Sequence, residues 1–294
     1  MPIVNPYKFD FVHRSTPCTP SQKILIVVHT STKDAYRNRR MLLRNTWLHS
    51  SLLRKKLGLN VKIVFFTGMA HSRREQLRIE YENEMYGDIV QSTFKDTYAH
   101  NTYKLMSYLL WTSKFCSNAS LLMKLDDDVL VKDSKLSSLA KKIQRWISHH
   151  NSLYIGVPIS DSSPNRNPES KWFVSEDVWP HKEYPTWFQG LIYFLSPRHA
   201  IDLFRTALRT KYMHTDDVYM GILVNRTASM QGALIPDTEL SYFTQDDKGI
   251  VEILKPYWIS EDDERIFYHM PSIQFFTEWY YEELYRKTTS WFQW

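Results

Sequence analysis

No apolar run in the 294 residues approaches the roughly 20 needed to cross a bilayer. The longest, Ile24 to Val28 and Val61 to Phe66, have the length of buried strands. The start, Met1-Pro2-Ile3-Val4-Asn5, lacks a basic region followed by an apolar stretch, so no secretory leader is read. Any anchor would have to be missing from this sequence, and a soluble, a secreted or an incomplete gene product all stay open. Cysteine is scarce too: Cys18 and Cys116 exclude a cysteine-built metal site and leave either two buried thiols or one disulfide. There is no low-complexity tract and no repeat of fixed period, which excludes largely disordered and solenoid chains. The excess of 37 Lys and Arg over 32 Asp and Glu is only +5, which suits an anionic substrate and is too small to indicate nucleic acid.

What is present, 43% hydrophobic and 23% charged residues, is the composition of one ordinary globular domain. Lys23 to Thr30 is an apolar run of the kind a strand covered on both faces needs. The pattern predicts a helix over 33–57 ended by Gly58, a strand over Val61 to Thr67 and a helix over 71–86 ended by Gly87. A strand over 88–92, a helix over 99–115 and a strand over 120–125 follow. Strands alternating with helices in this way predict an α/β fold with an open, mostly parallel sheet covered on both faces. Ligands bind such sheets beyond the carboxyl ends of the strands, where Asp126-Asp127-Asp128 falls. A helix over 133–149, a long loop over 161–185, a strand over Trp187 to Leu195, a helix capped by Ser196 and another near Thr215 complete the pattern.

Three adjacent carboxylates repel one another unless a cation or solvent intervenes. The triple Asp is therefore either an Mg²⁺ or Mn²⁺ site, in which Asp126 and Asp128 point to one face, or a solvated turn capping the next helix. An aspartyl-phosphate phosphatase also begins with Asp-x-Asp after an apolar strand, but it wants Thr or Val where this chain has Leu130. In His214-Thr215-Asp216-Asp217, the acids either meet a helix dipole or supply a general base. Arg37, Arg40 and Arg44 share a helix face that is either solvated or phosphate-binding. His269, between Tyr268 and Met270, is either structural or a ligand.

Taken in order, these segments resemble the β-1,3-glycosyltransferase family of β-1,3-galactosyltransferases and β-1,3-N-acetylglucosaminyltransferases. The matching segments are Arg39-Arg40 with Arg44-Asn45-Thr46-Trp47, then Val64 to Gly68, Gly87 to Gln91, and Asp96-Thr97-Tyr98 with Asn101 and Lys104. They continue through Trp111 and Cys116 to Lys124-x-Asp126-Asp127-Asp128-Val129, then Tyr184-Pro185 with Gly190, Tyr193 and Ser196. Asp216-Asp217-Val218-Tyr219-Met220-Gly221 and His269 with Trp279 close the series. Departures are Leu48 where Gly is common, a thinned glycine stretch around Gly190, and Asp216 where many members have Glu.

The resemblance implies a Rossmann-like glycosyltransferase type A fold, with a lead-in over residues 1–20 and a single catalytic domain over 21–294. It implies inverting transfer of a hexose, galactose favoured and N-acetylglucosamine possible, from a UDP-sugar to a glycan, glycoprotein or glycolipid hydroxyl, forming a β-1,3 linkage. The alternative is a catalytically silent, sugar-binding relative. Asp217 is implied as the base. Asp126, Asp128 and His269 are implied as Mn²⁺ or Mg²⁺ ligands. Arg40, Arg44, Lys104, Asp127 and Gly190 are implied as substrate-binding. Such enzymes work in the Golgi lumen, which favours a Cys18–Cys116 disulfide and makes the sequons at Asn118 and Asn225 glycosylation sites.

Overall fold

The computed structural model describes residues 2–131, 133–237, 240, 243–244 and 266–270. Successive side chains of a strand point to opposite faces, and in Gln22–His29 (β2) both faces are apolar. Ile24, Ile26 and Val28 enter one core; Leu25 and Val27 enter the other. Each fully buried aliphatic side chain contributes about 1.5–3 kcal/mol, so β2 must lie centrally between two helical layers.

It does. The eight-stranded sheet has the order β1-β4-β3-β2-β5-β8-β7-β9. Its strands are Phe11–His13 (β1), β2, Asn60–Met69 (β3), Ile89–Lys95 (β4), Leu121–Asp126 (β5), Tyr154–Ile159 (β7), Trp187–Leu195 (β8) and Leu234–Pro236 (β9). β4, β3, β2 and β5 run parallel; β8 runs antiparallel between β5 and β7, and β1 antiparallel beside β4. One face is covered by Asp34–Asn45 (α1), Ser50–Leu57 (α2), Arg73–Tyr86 (α3) and Asp133–His149 (α5). The other is covered by Asn101–Phe115 (α4), Ala200–Ala207 (α6) and Asp216–Arg226 (α7).

A small second sheet joins Val129–Val131 (β6), Phe243–Thr244 (β10) and Phe267–His269 (β11). Its register sets His269 opposite Val129, and the Met270 N–H donates to the Asp128 carbonyl at 2.7 Å. This pairing brings a residue from the far end of the chain to the triple Asp. Trp279 and the other tail aromatics, Trp258, Phe275, Phe276, Tyr280 and Tyr281, lie outside the described residues.

Several expectations change. The helix expected over 33–57 is two helices, broken where Trp47 buries itself and donates its indole N–H to the Val129 carbonyl. Ser196 does not cap the following helix; its hydroxyl accepts from the Leu153 N–H, tying β8 to the start of β7. The lead-in contains β1, and β7 was not anticipated.

Cys18 and Cys116 are bonded across 98 residues, pinning the approach to β2 onto the end of α4. Closing a loop of this size contributes about 4.7 kcal/mol in the chain-entropy model. The Cys18→Ser/Cys116→Ser variant is accordingly expected to lose on the order of 10 °C in thermal midpoint. Calorimetry of the two forms checks this, and an unchanged midpoint contradicts it.

Candidate active site

The carboxyl ends of β2, β4 and β5 deliver His29, Thr30, Asp96 and the triple Asp to one rim of the sheet. They open on a cleft with two lobes. The larger, about 770 Å³, reaches from Asp126 and Asp128 past Gly190 to Asp217 and His269. The smaller, about 270 Å³, contains Thr30, Lys33, Tyr36, Arg39, Asp96 and Lys104. Asp126, Asp128, Tyr98 and Asn101 belong to both.

Asp128 Oδ2 lies 3.6 Å from His269 Nε2 and accepts from Arg39 at 3.0 Å. Burial alone would raise the Asp128 pKa, but His269 and Arg39 outweigh it and hold the carboxyl below its usual range. Asp126 is different. Burial pushes it up to about 6, with Asp128 adding to the rise and Lys124, 2.7 Å away, opposing it. Asp127 is likewise pushed to about 6 by burial and Asp128, while it accepts from Thr30 and Arg39 at 2.6 and 3.0 Å.

Three carboxylates, with Lys124, Arg39 and a histidine close by among the described residues, form a cluster that favours an added positive charge. Asp128 Oδ1 is buried with no hydrogen-bond partner, an oxygen lone pair in need of one. Carboxylate oxygens with an imidazole nitrogen are a suitable donor set for Mn²⁺ or Mg²⁺. Among the described residues, no three such side chains converge closely enough to stand as a finished metal group. The chemistry of Asp126, Asp128 and His269 fits a divalent cation, and the set is not closed.

Across the larger lobe, Asp217 is the second residue of α7 and accepts from the Val218 N–H at 2.8 Å. Burial first, then the neighbouring Asp216 charge, pushes its carboxyl up to about 7. Glycines let it sit there. At Gly221 an added β-carbon would stand 2.9 Å from the Trp187 Cα, so only glycine lets α7 close on β8. At Gly190 one would stand 3.1 Å from the Asp217 Cβ and 3.2 Å from its Oδ2. The adjacent His29 is not an ionic partner: burial, then Lys124 and Lys104, drives its pKa well below the usual value, and it stays 3.8 Å from Asp216.

The galactosyltransferase family model matches residues 38–230, most of the chain, including Asp126, Asp128, Gly190 and Asp217 but not His269 or the residues from His29 to Tyr36. The chain belongs to the galactosyltransferase family. Over 231 residues it is 31% identical to lactosylceramide 1,3-N-acetyl-beta-D-glucosaminyltransferase B of Danio rerio, covering 75% of this chain and 60% of that protein. The chain thus spans about 60% of that relative's length. Over 224 residues it is 25% identical to beta-1,3-galactosyltransferase 1 of Mus musculus, covering 76% of this chain and 67% of the mouse protein. Among solved structures, a galactosyltransferase complexed with donor and acceptor sugar analogues aligns with a TM-score of 0.41 and 11% identity, over 88% of this chain and 95% of that one.

In this member of the galactosyltransferase family, the cleft brings together Asp126, Asp128, His269, Asp217 and Gly190, and two arginines are absent from its lining. Arg40 is 1% exposed, with its guanidinium taken by both Glu82 oxygens, Thr30 and the Ser31 carbonyl. Arg44 chelates Asp88 and also reaches Glu82. Both are struts between α1, α3 and β4 rather than phosphate ligands, because their donors are spent inside the fold. Arg39, not Arg40 or Arg44, lines the smaller lobe. Lys104 does line the smaller lobe, held by Asp96 at 3.1 Å and the Thr30 carbonyl at 2.6 Å.

Lys124 is the other residue the motifs underplayed. It is 1% exposed and donates to Asp126 and to the Gly190 carbonyl at 2.5 Å, joining the carboxylate cluster to the strand that faces Asp217. A lysine inside the apolar strand Leu121-Leu122-Met123-Lys124-Leu125 was its available signal. Asn118 and Asn225 are both exposed, Asn118 in the turn at the amino end of β5, opposite the cleft.

Proposed function

We propose that the protein transfers a hexose from a UDP-sugar to a glycan hydroxyl with inversion, forming a β-1,3 linkage. The observation that carries this is Asp217, a carboxyl pushed up to about 7, facing the Asp126, Asp128 and His269 cluster across one cleft. Inversion needs a base on one side of the anomeric carbon and a stabilised leaving group on the other. Asp217 is the base. It accepts the acceptor hydroxyl's proton as the oxygen attacks the anomeric carbon and the bond to UDP breaks.

Lys33, Tyr36 and Arg39 border the smaller lobe and hold the uridine diphosphate there, with Lys104 fixing the backbone at Thr30. Asp128 and His269, with Asp126 in support, would hold Mn²⁺ or Mg²⁺. Such a cation would supply positive charge against the negative charge that grows on the departing pyrophosphate. Lys124 keeps Asp126 and Gly190 in place during this exchange of charge.

The names of the relatives cover both galactose and N-acetylglucosamine as the transferred sugar, and one includes a glycolipid acceptor, lactosylceramide. Both sugars are therefore donors to test. Residues 21–294 act as one catalytic domain, working in the Golgi lumen of the secretory pathway. The Cys18–Cys116 bond supports that location, since disulfides persist there. No helix among the described residues is long and apolar enough to cross a membrane.

The test is UDP release from UDP-galactose and UDP-N-acetylglucosamine with Mn²⁺ and a panel of glycan acceptors, repeated in excess EDTA. Release with at least one donor, lost in EDTA and restored by Mn²⁺, is expected. Full activity in EDTA would remove the cation from the mechanism. Donor binding without release from any donor would mark a silent sugar-binding relative.

A further inference from the structure

Helix spacing groups Arg37 with Arg40 and Arg44, yet Arg37 neither props the fold beside Glu82 nor lines either lobe of the cleft. It opens on a separate groove of about 820 Å³ between the first turn of α1 and the first turns of α3. Among the described residues four arginines line this groove, Arg37 from α1 and Arg73, Arg74 and Arg78 from α3, against one acid, Asp34. The two helices follow β2 and β3, so their amino ends stand at the same rim of the sheet as the cleft. α1 thus shows Tyr36 and Arg39 to the smaller lobe and Arg37 to the groove beside it.

The groove is short of negative charge. Asp34 gives its carboxylate to Arg78, and Arg73 has Glu80 only at 3.9 Å. Among the described residues, no hydrogen bond or ion pair holds the guanidinium of Arg37 or of Arg74. The hydrogen bond from Arg78, with smaller contributions from Arg74 and Arg37, holds the Asp34 carboxyl below its usual range, so three guanidiniums surround one carboxylate. Like charges gathered in this way are relieved by an added anion.

Charge is only half of its character. Leu77, 48% exposed, and Tyr81, 60% exposed, line the same groove, and Met85, 61% exposed, continues their face of α3 at the i+4 spacing. A contiguous exposed patch of large apolar side chains marks an interaction surface, and Arg, Tyr and Met are the side chains interfaces favour.

We propose that this groove docks a partner protein through an acidic segment that also carries a large apolar side chain. Its carboxylates pair with the guanidiniums of Arg37 and Arg74, which suit bidentate contact, and its apolar side chain lies on Leu77 and Tyr81. Other occupants match less of the groove. A sulfated polysaccharide answers the charge and leaves Leu77, Tyr81 and Met85 uncovered. A bilayer is too flat to enter a groove between two helices, and a second copy docked face to face would set four arginines against four. No residue is shared between the groove and either lobe of the cleft, so the docked segment itself blocks neither. The docking holds whether or not the protein transfers sugar.

The experiment measures fluorescence anisotropy of a short labelled peptide, glutamates around a central leucine and phenylalanine, titrated with the full chain. Two control peptides replace the glutamates with glutamine or the two apolar residues with serine. The parent peptide is expected to bind, each control at least about tenfold more weakly, and added salt should weaken the parent. Arg37→Gln/Arg74→Gln should weaken the parent peptide about tenfold and Leu77→Ser/Tyr81→Ser about fivefold, with UDP affinity and thermal midpoint unchanged in both. Failure of the parent peptide to bind, equal binding of the glutamine control, or equal binding by the wild type and Arg37→Gln/Arg74→Gln overturns the proposal. So does a sulfated oligosaccharide that binds the wild type and Leu77→Ser/Tyr81→Ser alike and that the peptide fails to displace. The control peptides are read on the wild type, so they decide the matter even where a variant folds poorly.

Discussion

Asp217→Asn is expected to lower kcat by about 10³-fold while leaving metal-dependent UDP binding intact, since removing a general base costs on the order of 10²–10⁴. Asparagine has nearly the same shape and fits the gap left by Gly190, so the loss isolates the proton acceptor from packing. The pH dependence carries the same message. A base works only when ionised, and burial with the Asp216 charge pushes Asp217 up to about 7. The rate should therefore rise with pH through about 7 and level off above it. In Asp217→Asn that limb should vanish from the residual rate. Stopped UDP-release assays across pH 5.5 to 9 would decide the matter, and activity within about threefold of wild type would remove Asp217 from the mechanism.

Arg40→Ala is the second large effect, and it acts on the fold rather than the chemistry. Glu82 is 1% exposed; burial acts to raise its pKa, yet Arg40 and Arg44 together hold the carboxyl below its usual range. Removing Arg40 leaves a buried carboxylate with only Arg44 to answer it. Breaking such a pair costs about 3–5 kcal/mol, here toward the lower end because Arg44 remains. A fall of the thermal midpoint on the order of 10 °C is expected, with UDP affinity unchanged in the molecules that remain folded. The double variant Arg40→Leu/Glu82→Leu should regain much of the loss, since it leaves neither charge stranded. If instead Arg40→Ala kept its midpoint and lost UDP affinity, Arg40 would be the phosphate ligand that the helix spacing suggested.

That contrast shows where sequence reasoning reaches and where it stops. Runs such as Lys23 to Thr30 are long, apolar and unbroken, and a strand buried on both faces is their only economical use. Asp126, Asp128 and Asp217 were legible because strand ends and helix starts concentrate such groups at one rim. Arg40 was not, because spacing along α1 says which residues share a face but not that Glu82, on another helix, waits opposite. The break at Trp47 was hidden for the same reason: its partner, the Val129 carbonyl, lies 82 residues away. Trp172 sits in a loop without period, and only the folded chain shows that it lines the same lobe as Tyr98.

The turn at Asn118 lies before the amino end of β5, and the triple Asp of the cleft at its carboxyl end. A preparation coupled to beads through a glycan at Asn118 would thus present every reactive mouth outward, where random lysine coupling would bury a share of them. If the proposed transfer holds, protein immobilised that way should keep more of its activity per molecule loaded than protein coupled through random lysines.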